Sequence, residues 1–485
     1  MTLTDLLINM KVVLPLATLI AWACVLLLVD LYIPKGHKGW TALIAALGLL
    51  LCIGLTIVQF KQASSGFNGM VIYDGYSFFL NILFLSSGLA GIALAYDYIK
   101  RMQIERGEYY VLLLFSISGM MLMSQANDLI LVFLALELLS IPLYVLAGFA
   151  RPRLESEEAS LKYFLMGAFA GSFVVFGIAL VFGATGTTNL SAVFTAINNQ
   201  IADLPLLTVG AALILVGLGF KVAAVPFHMW TPDVYHGAPS AVTAFMSLGA
   251  KAGGFAALLR IFISAFPSLS TDLTMIFWTI SALTMFLGNV VAIAQSNIKR
   301  LLAYSSIANA GYILMALVPY GNSAVSSETV SAALFYLVAY ALTSFGAWAV
   351  VIAVEKAEGQ GLALDDYAGL ARKYPLLAAS MAIFMLSFTG VPPTLGFMGK
   401  FYLFRTVIQG GYLGLALIGV FTSLISAYYY LRVIVIMYMR EGEPVASKEF
   451  WVQFTAAVTA VLVIALSLAA GPLLNLASRA VLFTF

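Results

Sequence analysis

The feature that most constrains this chain is a succession of apolar runs long enough to cross a bilayer. About fourteen are separated by short breaks, near residues 11–33, 41–60, 76–97, 109–125, 128–149, 159–185, 206–229, 240–262, 273–295, 301–319, 328–354, 375–408, 411–438 and 450–473. A bilayer core takes about 20 apolar residues per helix. The runs do not alternate apolar and polar, which excludes a transmembrane β-barrel. Of 485 residues, 62% are hydrophobic and 9% charged, against roughly 25% charged in soluble domains. An all-α polytopic membrane protein of about 14 transmembrane helices is therefore expected. The first run continues into a full span with no small-residue cleavage site, so no signal peptide is expected. No soluble domain is inserted. The longest connection, roughly 355–374, has room for a short surface helix and reads as a solvated loop.

Charge alternates along the chain. Loops after odd-numbered spans hold Lys35, Lys38, Lys100, Arg101, Arg106, Arg151, Arg153, Lys299, Arg300, Lys356, Arg372, Lys373, Arg440 and Lys448, and those after even-numbered spans hold only Lys61. Cytoplasmic loops of membrane proteins carry an excess of Lys and Arg. The bias puts the odd-numbered loops in the cytoplasm and both termini on the outer side. A net charge of +2 offers no basic field, so no nucleic-acid partner is expected. Cys24 and Cys52 lie in apolar runs, and His37, His228 and His236 are scattered. Neither a disulfide framework nor a metal site is expected.

Ionisable groups at bilayer depth are expensive and mark function by default. Glu137 lies halfway through span five, Lys162 near the start of span six, Lys221 in span seven, Lys251 at the centre of span eight and Lys400 in span twelve. Plain alternatives exist: Lys162 is close enough to the interface to snorkel, and Glu137 and Lys251 could be simple ion-pair partners. An apolar pair would pack as well, however, which favours a role in function. Burial and neighbouring like charge both disfavour a charged lysine. Lysine, unlike arginine, can then release its proton. A row of buried lysines is thus a candidate proton relay, with Glu137 holding one of them charged. His228 is the candidate bridge from Lys221 to Lys251, or else a satisfied buried histidine. Tyr304, Ser305 and Ser306 line a hydrated path or simply pack. Arg260, Arg405 and Arg432 read equally as snorkelling or paired.

Two spans look broken. Pro226 follows Lys221 in span seven, and Gly390, Pro392 and Pro393 precede Lys400 in span twelve. Proline removes a backbone donor, which is tolerated at depth only where protein or water satisfies the freed groups. Discontinuous helices are pointers to ion sites in transporters. Leu218-Gly219-Phe220-Lys221 also matches Leu395-Gly396-Phe397-Met398-Gly399-Lys400, with the lysines 179 residues and five spans apart. An odd number of spans makes the two copies antiparallel, as in an inverted repeat.

The strings GLGFKVAAVPFHMWTPDVYHGAPS (217–240), SNIKRLLAYSSIANAGY (296–312) and GVPPTLGFMGKFYLF (390–404), with the Glu137 helix, resemble the antiporter-like subunits of respiratory complex I, the proton-pumping NADH–quinone oxidoreductase. The Trp-Thr-Pro-Asp-Val-Tyr form at 230–235, the length, and Lys400 in place of a glutamate resemble the N type rather than the L or M types. The resemblance implies two inverted five-helix repeats, spans 4–8 and 9–13, with helices 7 and 12 broken. The units would be 1–108, 109–262, 263–438 and 439–485. It implies a proton path through Glu137, Lys162, Lys221, His228, Lys251 and Lys400. It implies no cofactor in this chain, with FMN, iron–sulfur clusters and quinone in partner subunits. The implied partners are M-like and L-like antiporter subunits, K-like and J-like small subunits, the peripheral redox arm and the lipid of a bacterial or archaeal cell (inner) membrane. One departure is Asn309, where relatives often carry a histidine; a route through that point would need water. Two other readings stay open at this stage: a cation/proton antiporter without redox coupling, and a mainly structural membrane subunit.

Overall fold

The computed structural model describes residues 9–60, 63–322, 324–356, 359–480 and 482. Lys61, the lone cation of the even-numbered loops, lies outside them. Each of the fourteen apolar windows holds a helix or a pair of helices. The first six are α1 (Leu14–Asp30), α2 (Gly39–Val58), α3 (Gly75–Arg101), α4 (Glu108–Gln125), α5 (Leu129–Ala147) and α6 (Leu154–Thr185). A short helix, α7 (Leu190–Asn198), precedes the seventh window, where α8 (Leu204–Val222) ends at a break, and α9 (Trp230–Gly237) follows just past the window. Then come α10 (Ser240–Ser264), α11 (Ser270–Ile293), α12 (Ile298–Met315) and α13 (Ser326–Val354). After a one-turn helix α14 (Leu370–Lys373), the twelfth window is split into α15 (Pro375–Thr389) and α16 (Leu395–Gln409). The chain finishes with α17 (Leu413–Met439), α18 (Phe450–Leu468) and a short α19 (Ala470–Ser478). Among the described residues, ten helices are long and apolar enough to cross a membrane, and α1 and α15 are shorter apolar helices.

Burial divides the helices into a centre and a shell. The apolar stretch of α10 is wholly buried and that of α13 nearly so, whereas α2, α6, α11, α17 and α18 bury only 39% of theirs. Apolar lipid gives little hydrophobic drive between helices, so packing favours small residues that let backbones approach. The α10 sequence, rich in Ala, Gly and Ser, fits that central place. The contact of α6 with α8 shows the requirement most sharply. A Cβ on Gly177 would lie 2.7 Å from the Gly210 carbonyl oxygen, and one on Gly210 would lie 2.9 Å from that of Gly177.

The odd-numbered loops gather at one end of the bundle. There Arg101 pairs with Glu449 at 3.0 Å, Arg300 with Asp233 at 3.0 Å, and Lys38 with Asp30 at 2.8 Å. The even-numbered loops gather at the other end, where Asn127 Nδ2 donates to the Gly69 carbonyl at 2.9 Å. Here the chain adds what periodicity did not predict, a two-stranded antiparallel hairpin (β1, Ser64–Gly66; β2, Val71–Tyr73).

The connection read as a solvated loop is docked instead. Leu364, Tyr367 and Leu370 are buried. Ala363 bridges Asn297, and Ile298 N donates to the Leu362 carbonyl at 2.9 Å, so the segment covers the start of α12. The Leu-Gly-Phe match also needs correcting. Leu218-Gly219-Phe220 lies before its break, at the end of α8, while Leu395-Gly396-Phe397 lies after its break, at the start of α16. The string therefore does not register the two breaks on each other; Pro226 and Pro392–Pro393, which sit within the breaks, do.

Candidate functional site

Both breaks put an ammonium at the end of a half-helix. The α8 helix stops where Ala223 turns left-handed (φ 61°). Its last turn carries Lys221, which is 2% exposed. Lys221 Nζ donates to Ser140 Oγ on α5 at 2.7 Å and to Tyr163 OH on α6 at 3.2 Å. Trp230 stacks on the Tyr163 ring and donates from its indole to the Phe220 carbonyl at 2.9 Å, so the aromatic pair fills the break. The α15 helix stops at Gly390, also left-handed (φ 88°). Lys400 comes from the other side of that break, on α16, and reaches back. Its Nζ donates to the Phe388 carbonyl at 2.9 Å, the Thr389 carbonyl at 3.1 Å and Ser423 Oγ at 3.1 Å. Carbonyls at a helix C-terminus lack intrahelical donors and carry partial negative charge, so a cation is favoured there.

Lys251 sits at the middle of the wholly buried α10 and donates to Ser306 Oγ on α12 at 2.8 Å. Among the described residues, no carboxylate lies within ion-pair distance of Lys221, Lys251 or Lys400. Glu137 is half-buried on α5, one turn before Ser140, and its charge acts on Lys221 across the gap without direct contact. A Cβ on Gly171 would lie 3.2 Å from the Glu137 carboxylate, so this acid faces α6. His228 lies in the first break. Its Nδ1 is buried without a hydrogen-bond partner, and its charge is coupled to that of Lys251. It bonds directly to neither lysine. Thr231 Oγ1, in the adjoining α9, is likewise buried and unpartnered. Buried polar atoms are normally hydrogen-bonded, and a roomy polar gap is filled by water.

Lys162 is not part of this row. Its side chain is 41% exposed and pairs with Glu158 at 2.7 Å and Asp233 at 2.9 Å. Asp233 also holds Arg300. The reason is position: Lys162 lies two turns into α6, within reach of the Lys/Arg-rich end of the bundle, where carboxylates are available. The snorkelling alternative describes it better than burial does.

Between Lys251 and Lys400 runs a chain of neutral polar groups. Ser423 Oγ donates to Tyr312 OH at 3.1 Å, and Asn289 Nδ2 meets the same hydroxyl at 3.4 Å. Tyr429 OH donates to Asn289 Oδ1 at 2.8 Å, and Tyr430, in hydrogen-bond contact with Tyr429, bonds Ser305. Ser305 and Ser306 are consecutive on α12, so this chain ends beside the partner of Lys251. Asn309 donates to the Ser305 carbonyl at 2.8 Å and accepts from Tyr336 OH. Sequence reading found Ser305, Ser306 and Asn309 but missed Tyr312, Asn289, Ser423 and Tyr430. Asn289 alone offered a signal, as the one amide of its helix, set among apolar residues. Hydroxyls and lysine amines joined this way can pass a proton along the row, with water filling the gap at the first break and carrying the proton past Asn289, whose amide orients its neighbours but keeps its own protons.

A family model, NADH:quinone oxidoreductase/Mrp antiporter, TM, matches residues 126–426, which hold Glu137, His228 and the three buried lysines. NADH-quinone oxidoreductase subunit N of Chloroflexus aggregans is 45% identical over 478 residues, covering 97% of this chain and 97% of its own. The chain belongs to the subunit N family of NADH-quinone oxidoreductases. The fold is shared with a chain of respiratory complex I from Thermus thermophilus, at 36% identity and a TM-score of 0.83, covering 96% of this chain and 99% of that one. A chain of the Mrp complex from Dietzia sp. DQ12-45-1b, at 21% identity, has a TM-score of 0.84 over 96% of this chain and 97% of that one. That second likeness concerns the fold alone, and the antiporter without redox coupling is the weaker reading.

Proposed function

We propose that this chain moves protons across the membrane as the N-type subunit of a complex I, driven by quinone reduction in neighbouring subunits. The observation that carries the reading is the buried row itself: three lysines, Lys221, Lys251 and Lys400, held by neutral donors and acceptors, with no carboxylate among the described residues in contact. A structural cation in low dielectric is normally paired with an anion. A lysine held only by hydroxyls and carbonyls keeps the freedom to give its proton up. Glu137, coupled to Lys221 at the half-exposed flank of α5, is the input: a charge change there alters the hold on the Lys221 proton. From Lys221 the proton passes through His228 and water to Lys251, then along the hydroxyl chain to Lys400.

In this reading all fourteen windows span the membrane, spans 4–8 and 9–13 are inverted repeats, and the Lys/Arg-rich end faces the cytoplasm. Lys400 then releases protons outward. The redox cofactors belong to partner subunits, and M-like, L-like, K-like and J-like membrane subunits complete the pump. Isolation of the tagged chain from its native membranes in mild detergent tests this. Flavin, iron–sulfur absorption and a dozen or more co-purifying subunits are expected. A lone chain, or a few membrane proteins without cofactors, would overturn the redox-driven reading.

A further inference from the structure

A second buried acid–base couple lies outside the row, at the Lys/Arg-rich end. Lys299, the second residue of α12, is 2% exposed, and its Nζ donates to the Ala238 carbonyl at 2.7 Å. Glu355, the residue after α13, is 5% exposed. Its Oε1 accepts from Tyr98 OH at 3.4 Å, and its Oε2 is buried with no hydrogen-bond partner. Tyr98 OH in turn accepts from Ser240 N, the first amide of α10, at 2.9 Å. Tyr367 OH is also buried without a partner. The charges of Glu355 and Lys299 act on each other without direct contact; Arg153 acts on Lys299 and Tyr98, and Glu355 on Tyr367.

A buried carboxylate with one unpartnered oxygen, beside an unpartnered tyrosine hydroxyl, is not a stable dry arrangement. A buried acceptor without a donor costs about 1–3 kcal/mol, and more if charged. Water resolves it, because the site is polar and offers several partners. The couple is also connected on both sides. Beside it a polar cleft of about 210 Å³ is lined by residues that include Lys356, Asp365, Asp366 and Glu443. On the inner side Lys299 lies seven residues before Ser306 on α12, two turns along the same face and about 10 Å away. Ser306 accepts from Lys251.

Resting on the proton-translocating reading above, we infer that Glu355 and Lys299 form a water-bridged proton-loading pair that delivers protons from the acidic cleft to Lys251. The Lys299 ammonium gives a proton through water and Ser306 to the Lys251 amine; one N–H bond breaks and another forms. Glu355, as the carboxylic acid, returns a proton to Lys299 through the bridging water. The Glu355 carboxylate is then reprotonated from water in the cleft. No electron moves, and each cycle passes one proton inward.

The test uses the whole complex in native membrane vesicles and reads protons moved per electron. Glu355→Gln and Lys299→Met are expected to lower that ratio to the level of Lys251→Ala, the loss of this chain's share of the protons. Glu355→Asp restores it, and the deficit of Glu355→Gln shrinks as the loading side is acidified, because Lys299 is then supplied from bulk water. A purely structural role predicts a deficit independent of pH. A wild-type ratio in Glu355→Gln and Lys299→Met, with Lys251→Ala defective, overturns the loading pair and leaves the relay standing. A wild-type ratio in all three overturns the relay. Where the charge variants do not assemble, Tyr98→Phe keeps every charge and removes one hydroxyl, which donates to Glu355 Oε1 and accepts from Ser240 N. It is expected to lower the same ratio, and an unchanged ratio there overturns the inference.

Discussion

Lys400 Nζ lies 2.9 Å from the carbonyl oxygen of Phe388, twelve residues earlier in the chain and across a helix break. The lysine that is to release a proton also closes the frayed end of α15. The two roles separate by substitution. Lys400→Met leaves the Phe388 and Thr389 carbonyls without their donor and is expected to destabilise the subunit by about 1–3 kcal/mol, read as a lower unfolding temperature in detergent. Lys400→Arg keeps donors at the break but holds its proton. It is expected to preserve more of the stability and lose pumping. Pumping at the wild-type rate in Lys400→Arg would remove Lys400 from the relay.

Lys162 and Lys221 are expected to part company. Lys221 is buried against Ser140 and Tyr163, whereas Lys162 sits in a half-exposed group with Glu158 and Asp233. Exposed ion pairs contribute about 0–1 kcal/mol, so Lys162→Ala should change stability little and leave most of the pumping. Lys221→Ala should abolish most of it with the complex still assembled. Equal loss in both, measured in the same vesicles, would return Lys162 to the row.

Tyr312 is the meeting point of Ser423, Asn289 and Thr422. Tyr312→Phe deletes one hydroxyl and leaves the ring under Lys400, 4.4 Å from its Nζ. A stability change of about 0.5–1.5 kcal/mol is expected, together with slower pumping at unchanged subunit composition. An unaltered pumping rate would show that protons bypass this hydroxyl.

At the opposite end of α10, Arg260 and Asp74 form a two-bond ion pair, 1% and 0% exposed, with Arg260 also donating to the Ser124 carbonyl. Removing one member leaves a buried charge, so Arg260→Met should cost about 3–5 kcal/mol. Arg260→Met with Asp74→Leu should recover part of that loss. Thermal unfolding of the single and double variants decides, and a double variant no better than the single would show that the pair does not act as a unit.

How far the sequence revealed all this depended on the kind of signal. Span positions were legible because a bilayer demands unbroken apolar runs, and every window holds helix. The two breaks were legible because Pro226 and Pro392–Pro393 cannot continue a hydrogen-bonded helix. Glu137, Lys221, Lys251 and Lys400 stood out because a charge in an apolar run has no cheap explanation. Tyr312, Ser423 and Tyr430 did not, because hydroxyl residues in membrane helices pack as readily as they conduct. Lys162 misled because distance along a helix does not reveal that Asp233, 71 residues later, folds back beside it. The Leu-Gly-Phe match misled because its two copies lie on opposite sides of their breaks. Lys299 passed as an ordinary loop charge, because the sequence does not show that it is buried.

Every group between Lys251 and Lys400 is a hydroxyl or an amide, able to give a hydrogen bond or to take one. Such a chain has no built-in valve. Reversing its hydroxyl rotors and flipping the Asn289 amide leaves it equally ready to run backwards. Direction must come from the order in which the groups at its two ends are loaded and emptied. The same segment would therefore serve a machine that spends an ion gradient as readily as one that builds it.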